Sequence, residues 1–406
     1  MNRAKQAILV TLLVSGMILI PGCGTPSTPT TTPISEPSVT ATLTEFPLPS
    51  STQTPELRTG FLAGGKPFRF VGVFIPGWYW SEWSEANDIA LITEAKQAGI
   101  SVLHVMFPDY EYPLGTFHES ELVKLDHFMD TAYQNGIYVM GSFVHGYGIT
   151  YGTSQPFYDP SGIGGLIDRP EYRSGFKIHM EQVVSRVNTI NGRKYSEDPT
   201  ILAWIVIEEI VSAPWNYPNG FPDITATELR DWVEENASYL KSLDPNHLVT
   251  FNTGSGLVSF SDMHQRWQPI VYAPSLDFVE LEDAEARILL FPEMMFHFDD
   301  MYDTDKPIVQ MLSYSGNDID QEKYCTDYQW QSETMKQVAD LYLERGAAGI
   351  NIFSWRASTV ISPEYDHCYS YDITNTYMTE MIQAIASELG ELNAPPMPLE
   401  FVTLGE

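Results

Sequence analysis

The 406 residues carry 53 acidic against 22 basic side chains, a formal charge of −31 spread along the whole chain. A surface of that sign repels phosphate backbones and anionic lipid, so nucleic acid is excluded as a partner, while a neutral polymer is unaffected. The same charge also serves simply to keep a protein soluble outside the cytoplasm. With 43% hydrophobic and 13% aromatic residues the chain can bury a large core without disulfide staples.

Arg3 and Lys5 precede an apolar run from Ala7 to Ile20, too short to span a bilayer, that ends at Pro21-Gly22-Cys23. Residues 1–23 therefore read as a signal peptide of lipoprotein type, with Cys23 as the lipidated residue; a conventional cleaved signal is the alternative. Residues 24–58 are dense in Thr, Pro and Ser and cannot bury enough surface to order themselves, which suits a flexible tether to a membrane. The expected location is extracytoplasmic, at the cell surface or secreted. What remains is roughly 345 residues, the size of one large α/β barrel rather than two average domains.

From Gly60 on, apolar runs of strand length alternate with amphipathic stretches of helical length. The strands are predicted at Phe68 to Phe74, Ser101 to Phe107, Tyr138 to Val144, Ile201 to Ile207, Leu248 to Asn252, Asp277 to Leu281, Ile308 to Leu312 and Gly349 to Phe353. Helices are predicted at Asn87 to Ala98, Leu122 to Gln134 and Thr227 to Leu243, each closed by a Gly or Pro signal. Eight strands alternating with helices predict a single (β/α)8 barrel over residues 59–392, followed by a C-terminal tail at 393–406. Cys325 and Cys368 lie in polar, Tyr-rich stretches and could close one disulfide between loops, or remain two free thiols. No residue cluster points to a metal or other cofactor.

Barrel chemistry sits where strands end, so the run DPTILAWIVIEEI from Asp198 to Ile210 stands out. An apolar strand stops at two adjacent acids, Glu208 and Glu209, close in sequence to Trp215 and Tyr217. Desolvation at an apolar mouth raises a carboxyl group's pKa toward the range of a general acid, although a solvated acid or a loop ion pair fits the position as well. Strand alternation predicts that one of the two points in and the other sideways. Glu280, Glu282 and Asp283 concentrate acid at the end of the sixth strand, with Glu280 and Glu282 on one side of it. Trp78, Tyr79, Trp80, Tyr110, Tyr112, Tyr147, Tyr151 and Trp355 recur at strand ends, where aromatic faces stack on sugar rings. His104 and His145 are compatible with either local hydrogen bonding or chemistry.

The segment Val183 to Trp204, with Arg186-Val-Asn-Thr and Tyr195-Ser-Glu-Asp-Pro-Thr-Ile, resembles the β-mannanases of glycoside hydrolase family 5. Gly65 to Gly72, Gly115 to Tyr138, Lys241 to Leu248 and Lys306 to Val309 carry the likeness further, so that it spans roughly Gly60 to Leu389. The resemblance implies a (β/α)8 fold and hydrolysis of an extracellular β-linked polysaccharide such as mannan. Glu209 matches that family's general acid/base, and Glu208 stands where it has an asparagine that contacts the sugar. His104 replaces an arginine, Glu282 a histidine, and Trp355 matches the tryptophan on which sugar stacks. Counting from Lys306 puts Leu312 at the nucleophile position.

The expected site is therefore Glu209 as acid and Glu282 as base, with Trp78, Trp80, His104, Glu208 and Trp355 binding substrate. A separation of roughly 6.5 to 9.5 Å between the two carboxyls would suit inversion. The partner is a polysaccharide or oligosaccharide, the membrane is met only through the lipid anchor, and a monomer is expected. Leu312 supports a rival reading, an inactive or altered barrel that binds glycan at the surface.

Overall fold

The computed structural model describes residues 60–107, 119–146, 163–210, 224–254, 268–284, 304–313, 326–360 and 370–405. The signal peptide, Cys23, the tether, Cys325 and Cys368 lie outside the described residues.

Eight parallel strands form the barrel: β3 Phe70–Ile75, β4 Val102–Met106, β5 Tyr138–Ser142, β6 Ile201–Ile205, β7 Leu248–Thr250, β8 Val279–Ala284, β9 Ile308–Ser313 and β10 Gly349–Phe353. They pair in the order β7-β6-β5-β4-β3-β10-β9-β8. The remaining gap is bridged by Asn252 against Glu280, with Thr253 N donating to Glu280 O and Glu280 N to Phe251 O, both at 3.2 Å. This is the barrel predicted from the alternation of elements, and each predicted strand overlaps an observed one.

Helices α1 Glu85–Gln97, α2 Glu119–Asn135, α3 Ile163–Asp168, α4 Pro170–Val184, α5 Ala226–Leu243, α6 Tyr328–Glu344 and α7 Thr376–Leu389 pack outside the strands. Their apolar faces meet the outward strand residues in one continuous core that includes Leu103, Val105, Trp204, Leu281 and Leu312. At α5 the periodicity is reinforced by a capping box, with the Thr225 hydroxyl accepting from Glu228 N and the Glu228 carboxylate accepting from Thr225 N.

Inside the barrel, a floor of Phe70, Val102, Tyr138, Ala203, Phe278 and Val309 packs against Phe61 and Phe68. Those two come from an antiparallel sheet, β1 Phe61–Ala63 with β2 Lys66–Phe68 and β11 Val402–Leu404, that closes the lower end. The segment expected to be a tail is thus tied into the fold. Asn393 Oδ1 accepts from Val71 N at 3.1 Å, and β11 completes the cap.

Two buried polar nodes fix β6 and hence its terminal acids. Asp126 of α2 receives Arg186 Nε and Nη2 at 2.8 and 2.7 Å, Tyr195 Oη at 2.8 Å and Thr189 Oγ1 at 2.7 Å. Asp244 receives Trp204 Nε1 at 2.7 Å and contacts His247 Nδ1 at 2.6 Å, while His247 Nε2 meets Asp198 O at 3.0 Å. The second clamp joins the two Asp-Pro steps, Asp198-Pro199 and Asp244-Pro245. Together they hold the segment that leads into β6 and the strand itself at Trp204.

Candidate active site

β6 ends at Ile205, and the chain re-forms a bridge at Glu208 against His145 beyond the end of β5. The next residue, Glu209, has φ +47, the one positive value among the described non-glycine residues. A side chain in the left-handed region is strained by about 1 kcal/mol or more, and such strain persists where surrounding contacts impose it. Here Gly146 permits it, because a Cβ on Gly146 would run into Glu209 O, and Gly146 N donates to Glu208 O at 2.7 Å. Glu209 N donates to Asn252 Oδ1 at 3.2 Å. The left-handed step interrupts the alternation that the sequence predicts for the two acids, so their side chains are not set by a strand's period.

Glu208 turns into the barrel, where its Oε2 lies 2.5 Å from His104 Nε2. His104 Nδ1 lies 3.1 Å from Glu280 Oε2, and Glu280 in turn accepts from Asn351 Nδ2 at 2.8 Å and Asn252 Nδ2 at 3.2 Å. Burial opposes a charge on His104, but the carboxylates of Glu208 and Glu280 outweigh it and push the imidazole up to about 10, so it is a cation at neutral pH. Burial pushes Glu208 upward while the His104 charge pulls it back down. With both nitrogens engaged and no exposed surface, His104 cannot itself reach a substrate, and Glu208 is held by it. The expectation that these two bind sugar directly is corrected to a buried ion pair beneath the mouth.

Glu209 sits higher, with its side chain 18% exposed and its Oε2 3.5 Å from His145 Nε2. Burial, and then the Glu208 charge, push its carboxyl up to about 8. Burial and the neighbouring His104 charge push His145 down to about 3, leaving it neutral. Glu209 therefore carries a proton at neutral pH, and among the described residues no cation contacts it to draw it off.

From β8, Glu280 and Glu282 share the inward side, as their spacing predicts. Burial raises the Glu282 carboxyl well above the ordinary range, the Glu209 charge raises it further, and a hydrogen bond with Ser313 pulls it down. Glu282 thus faces into the barrel and lies within the electrostatic reach of Glu209. On β9, Met311 joins Phe74 and Met106 inside the barrel, whereas Leu312 packs outward in the helix-facing core. Counting along the sequence placed Leu312 in the mouth; alternation along the strand gives that place to Ser313, the partner of Glu282. Both are still non-carboxylates.

The aromatic expectations fare differently. Trp80 is buried, donates its indole N–H to Met106 O at 2.6 Å and packs edge-on against Tyr79 and Phe128, so it joins barrel to helix rather than presenting a sugar platform. Trp355 is 1% exposed, within the main core, and bridges to Tyr371. The side chain of Trp78 lies outside the described residues, as do Tyr110, Tyr112, Tyr147, Tyr151, Trp215 and Tyr217. Asn252 and Asn351 were not singled out by sequence. The signal was an amide inside or closing an apolar strand, and Gly72 makes room for one of them, since a Cβ there would lie 3.2 Å from Asn351 Oδ1. Among the described residues no group of three His, Cys, Asp or Glu side chains is arranged to hold a metal ion.

Comparison with known proteins agrees with this architecture. Residues 156–278 match a family model described as glycoside hydrolase family 5, β-mannosidase-like. A mannan endo-1,4-β-mannosidase of Solanum lycopersicum is 31% identical over 208 residues, 47% of this chain and 48% of that protein. One of Arabidopsis thaliana is 25% identical over 302 residues, 65% of this chain and 64% of that protein. The chain spans about half the length of the first curated relatives it matches. Among solved structures, the endo-β-1,4-mannanase of Thermotoga petrophila superposes with a TM-score of 0.62 at 18% identity, covering 82% of this chain and 78% of that one. The endo-1,4-β-mannanase of Rhizomucor miehei gives 0.61 at 17% identity, covering 82% and 98%. The chain resembles the family 5 mannanases in sequence and shares their barrel.

Proposed function

We propose that this protein is a glycoside hydrolase acting on an extracellular β-linked polysaccharide of the mannan type. The observation that carries the reading is Glu209, a half-buried carboxyl at the barrel mouth, protonated at neutral pH and set at the position of the relatives' acid/base. Glu209 protonates the glycosidic oxygen as the bond to the leaving sugar breaks. Glu282 is the second carboxylate. Burial holds Glu282 above the ordinary range as well, so the productive state is the one in which Glu282 has released its proton while Glu209 keeps its own, and there Glu282 takes the proton of an attacking water. The N-terminal pattern supports placing this activity at the cell surface through a lipid on Cys23.

The test is release of reducing ends from mannan, glucomannan and cellulose by the wild type and by Glu209→Gln. Release from mannan by the wild type and its loss in the variant is the expected result. The rival reading, a surface glycan-binding barrel without turnover, is favoured by Ser313, which leaves β9 without a carboxylate at the mouth. Glycan binding by both proteins with equal background release would establish that rival.

A further inference from the structure

We propose that His104 and Glu208 are positioning residues that act through Glu209: their buried ion pair, braced by Glu280, fixes a negative charge at the residue preceding the acid and so keeps the Glu209 carboxyl protonated. This rests on the reading of Glu209 as proton donor, but it can be tested without turnover.

The geometry holds the pair from both sides, with Ser142 bonded to Glu208 and Asn351 3.1 Å from His104 Nδ1. One nitrogen of His104 is 2.5 Å from Glu208 and the other 3.1 Å from Glu280. Glu280 is pinned by Asn351 and Asn252, and Asn252 also accepts the backbone N–H of Glu209, so one amide joins the brace to the acid it serves. A buried ion pair contributes little net stability, because desolvation of both charges offsets their attraction. Packing alone therefore does not account for putting charges here. What the pair does supply is a His104 charge that pulls Glu208 toward its ionised form against the burial that pushes it up.

Among the described residues, the titratable groups facing Glu209 fit this account. His145, 3.5 Å away at the end of β5, is neutral and does not compete for the role of counter-ion. Glu282 from β8 brings a further acid, and Ser313 and Asn252, from the ends of β9 and β7, are uncharged. Of the two members, Glu208 is the one whose charge acts on Glu209, and it is the negative end of the pair. Burial and that negative end act in the same direction on Glu209.

The experiment is a pH titration of the full chain labelled at glutamate side-chain carboxyl carbons, followed by NMR, with the Glu209 signal assigned by its loss in Glu209→Gln. In the wild type Glu209 titrates near 8, and the ring nitrogens of His104 stay protonated up to about pH 10. In Glu208→Gln the Glu209 midpoint falls by about one to two pH units, the size expected for removing one nearby charge in a partly buried setting. In His104→Gln it falls as well, because Glu208 without its counter-ion takes up a proton, and the double variant falls no further than either single one. An unmoved Glu209 midpoint in the folded variants overturns the proposal. So does a neutral His104 in the wild type at pH 7, a measurement that needs no variant. Mannan hydrolysis with an unmoved midpoint removes this inference alone; a moved midpoint without hydrolysis supports it and removes the hydrolase reading.

Discussion

Replacing Glu209 by Gln is expected to stabilise the protein, by an amount that grows with pH. On folding, the Glu209 carboxyl is raised from its ordinary 4.5 to about 8. Below pH 4.5 folded and unfolded chains both hold that proton and it contributes nothing. Between 4.5 and 8 the unfolded chain releases it while the folded chain keeps it, so stability falls by ~1.4 kcal/mol per pH unit, to a ceiling of about 5 kcal/mol. Glu208 and Glu282 compete for the same protons, and solvent reaches one side of the carboxyl. About 2 kcal/mol is therefore the expected gain of the Gln variant at pH 8, or about 3 °C in Tm for a domain of this size. Thermal unfolding of wild type and Glu209→Gln from pH 4 to 9 measures it directly. The curves converge at the acid end and separate toward the alkaline end. A Glu209→Gly variant adds a pH-independent gain of about 1 kcal/mol by relieving the left-handed strain. A Gln variant that is less stable, or more stable by the same amount at every pH, would show that the carboxyl is not held protonated by the fold.

Three other outcomes follow from the same contacts. Asp126→Ala removes the buried acceptor shared by Arg186, Tyr195 and Thr189, leaving Arg186 only the exposed Glu119, and should cost about 3 kcal/mol in denaturant unfolding, against less than about 1 kcal/mol for exposed pairs such as Arg230 with Asp231. Gly146→Ala drives a methyl into the Glu209 carbonyl; mannan hydrolysis should drop at least roughly tenfold while the circular dichroism spectrum keeps its barrel signature. With an acidic surface and mouth, affinity for neutral mannan-type oligosaccharides should be independent of salt, whereas polyuronates should bind only as ionic strength rises, measurable by calorimetry from low to high salt.

How much of this was legible in the sequence follows from what each feature depends on. The eight strands and the helices α2 and α5 declare themselves through apolar periods and Gly or Pro stops, because burial decides them, whereas α1 is marked mainly by its Gly99 stop and leaves Ile89 exposed. The cap sheet was not legible: β1, β2 and β11 are three residues each, too short for a period, and β11 pairs with a strand at the opposite end of the chain. At the site, Glu209 and the inward side of Glu280 and Glu282 could be read from strand ends and spacing. The partnership of His104 with Glu208 could not, since it joins β4 to the end of β6 across the barrel. Leu312 was misplaced by one residue because a motif count ignores which face a strand residue takes. Trp80 was read as a platform from its position and Trp355 from its position and the family resemblance, and tertiary packing buries both.

The most direct measurement compares leaving groups. With an unactivated manno-oligosaccharide, Glu209→Gln should be slower than the wild type by about 10²- to 10⁴-fold, the usual share of a general acid. With an aryl β-mannoside whose leaving phenol needs no proton, that gap should nearly close. The same deficit on both substrates would mean that Glu209 does not deliver the proton, and would contradict the account at its centre.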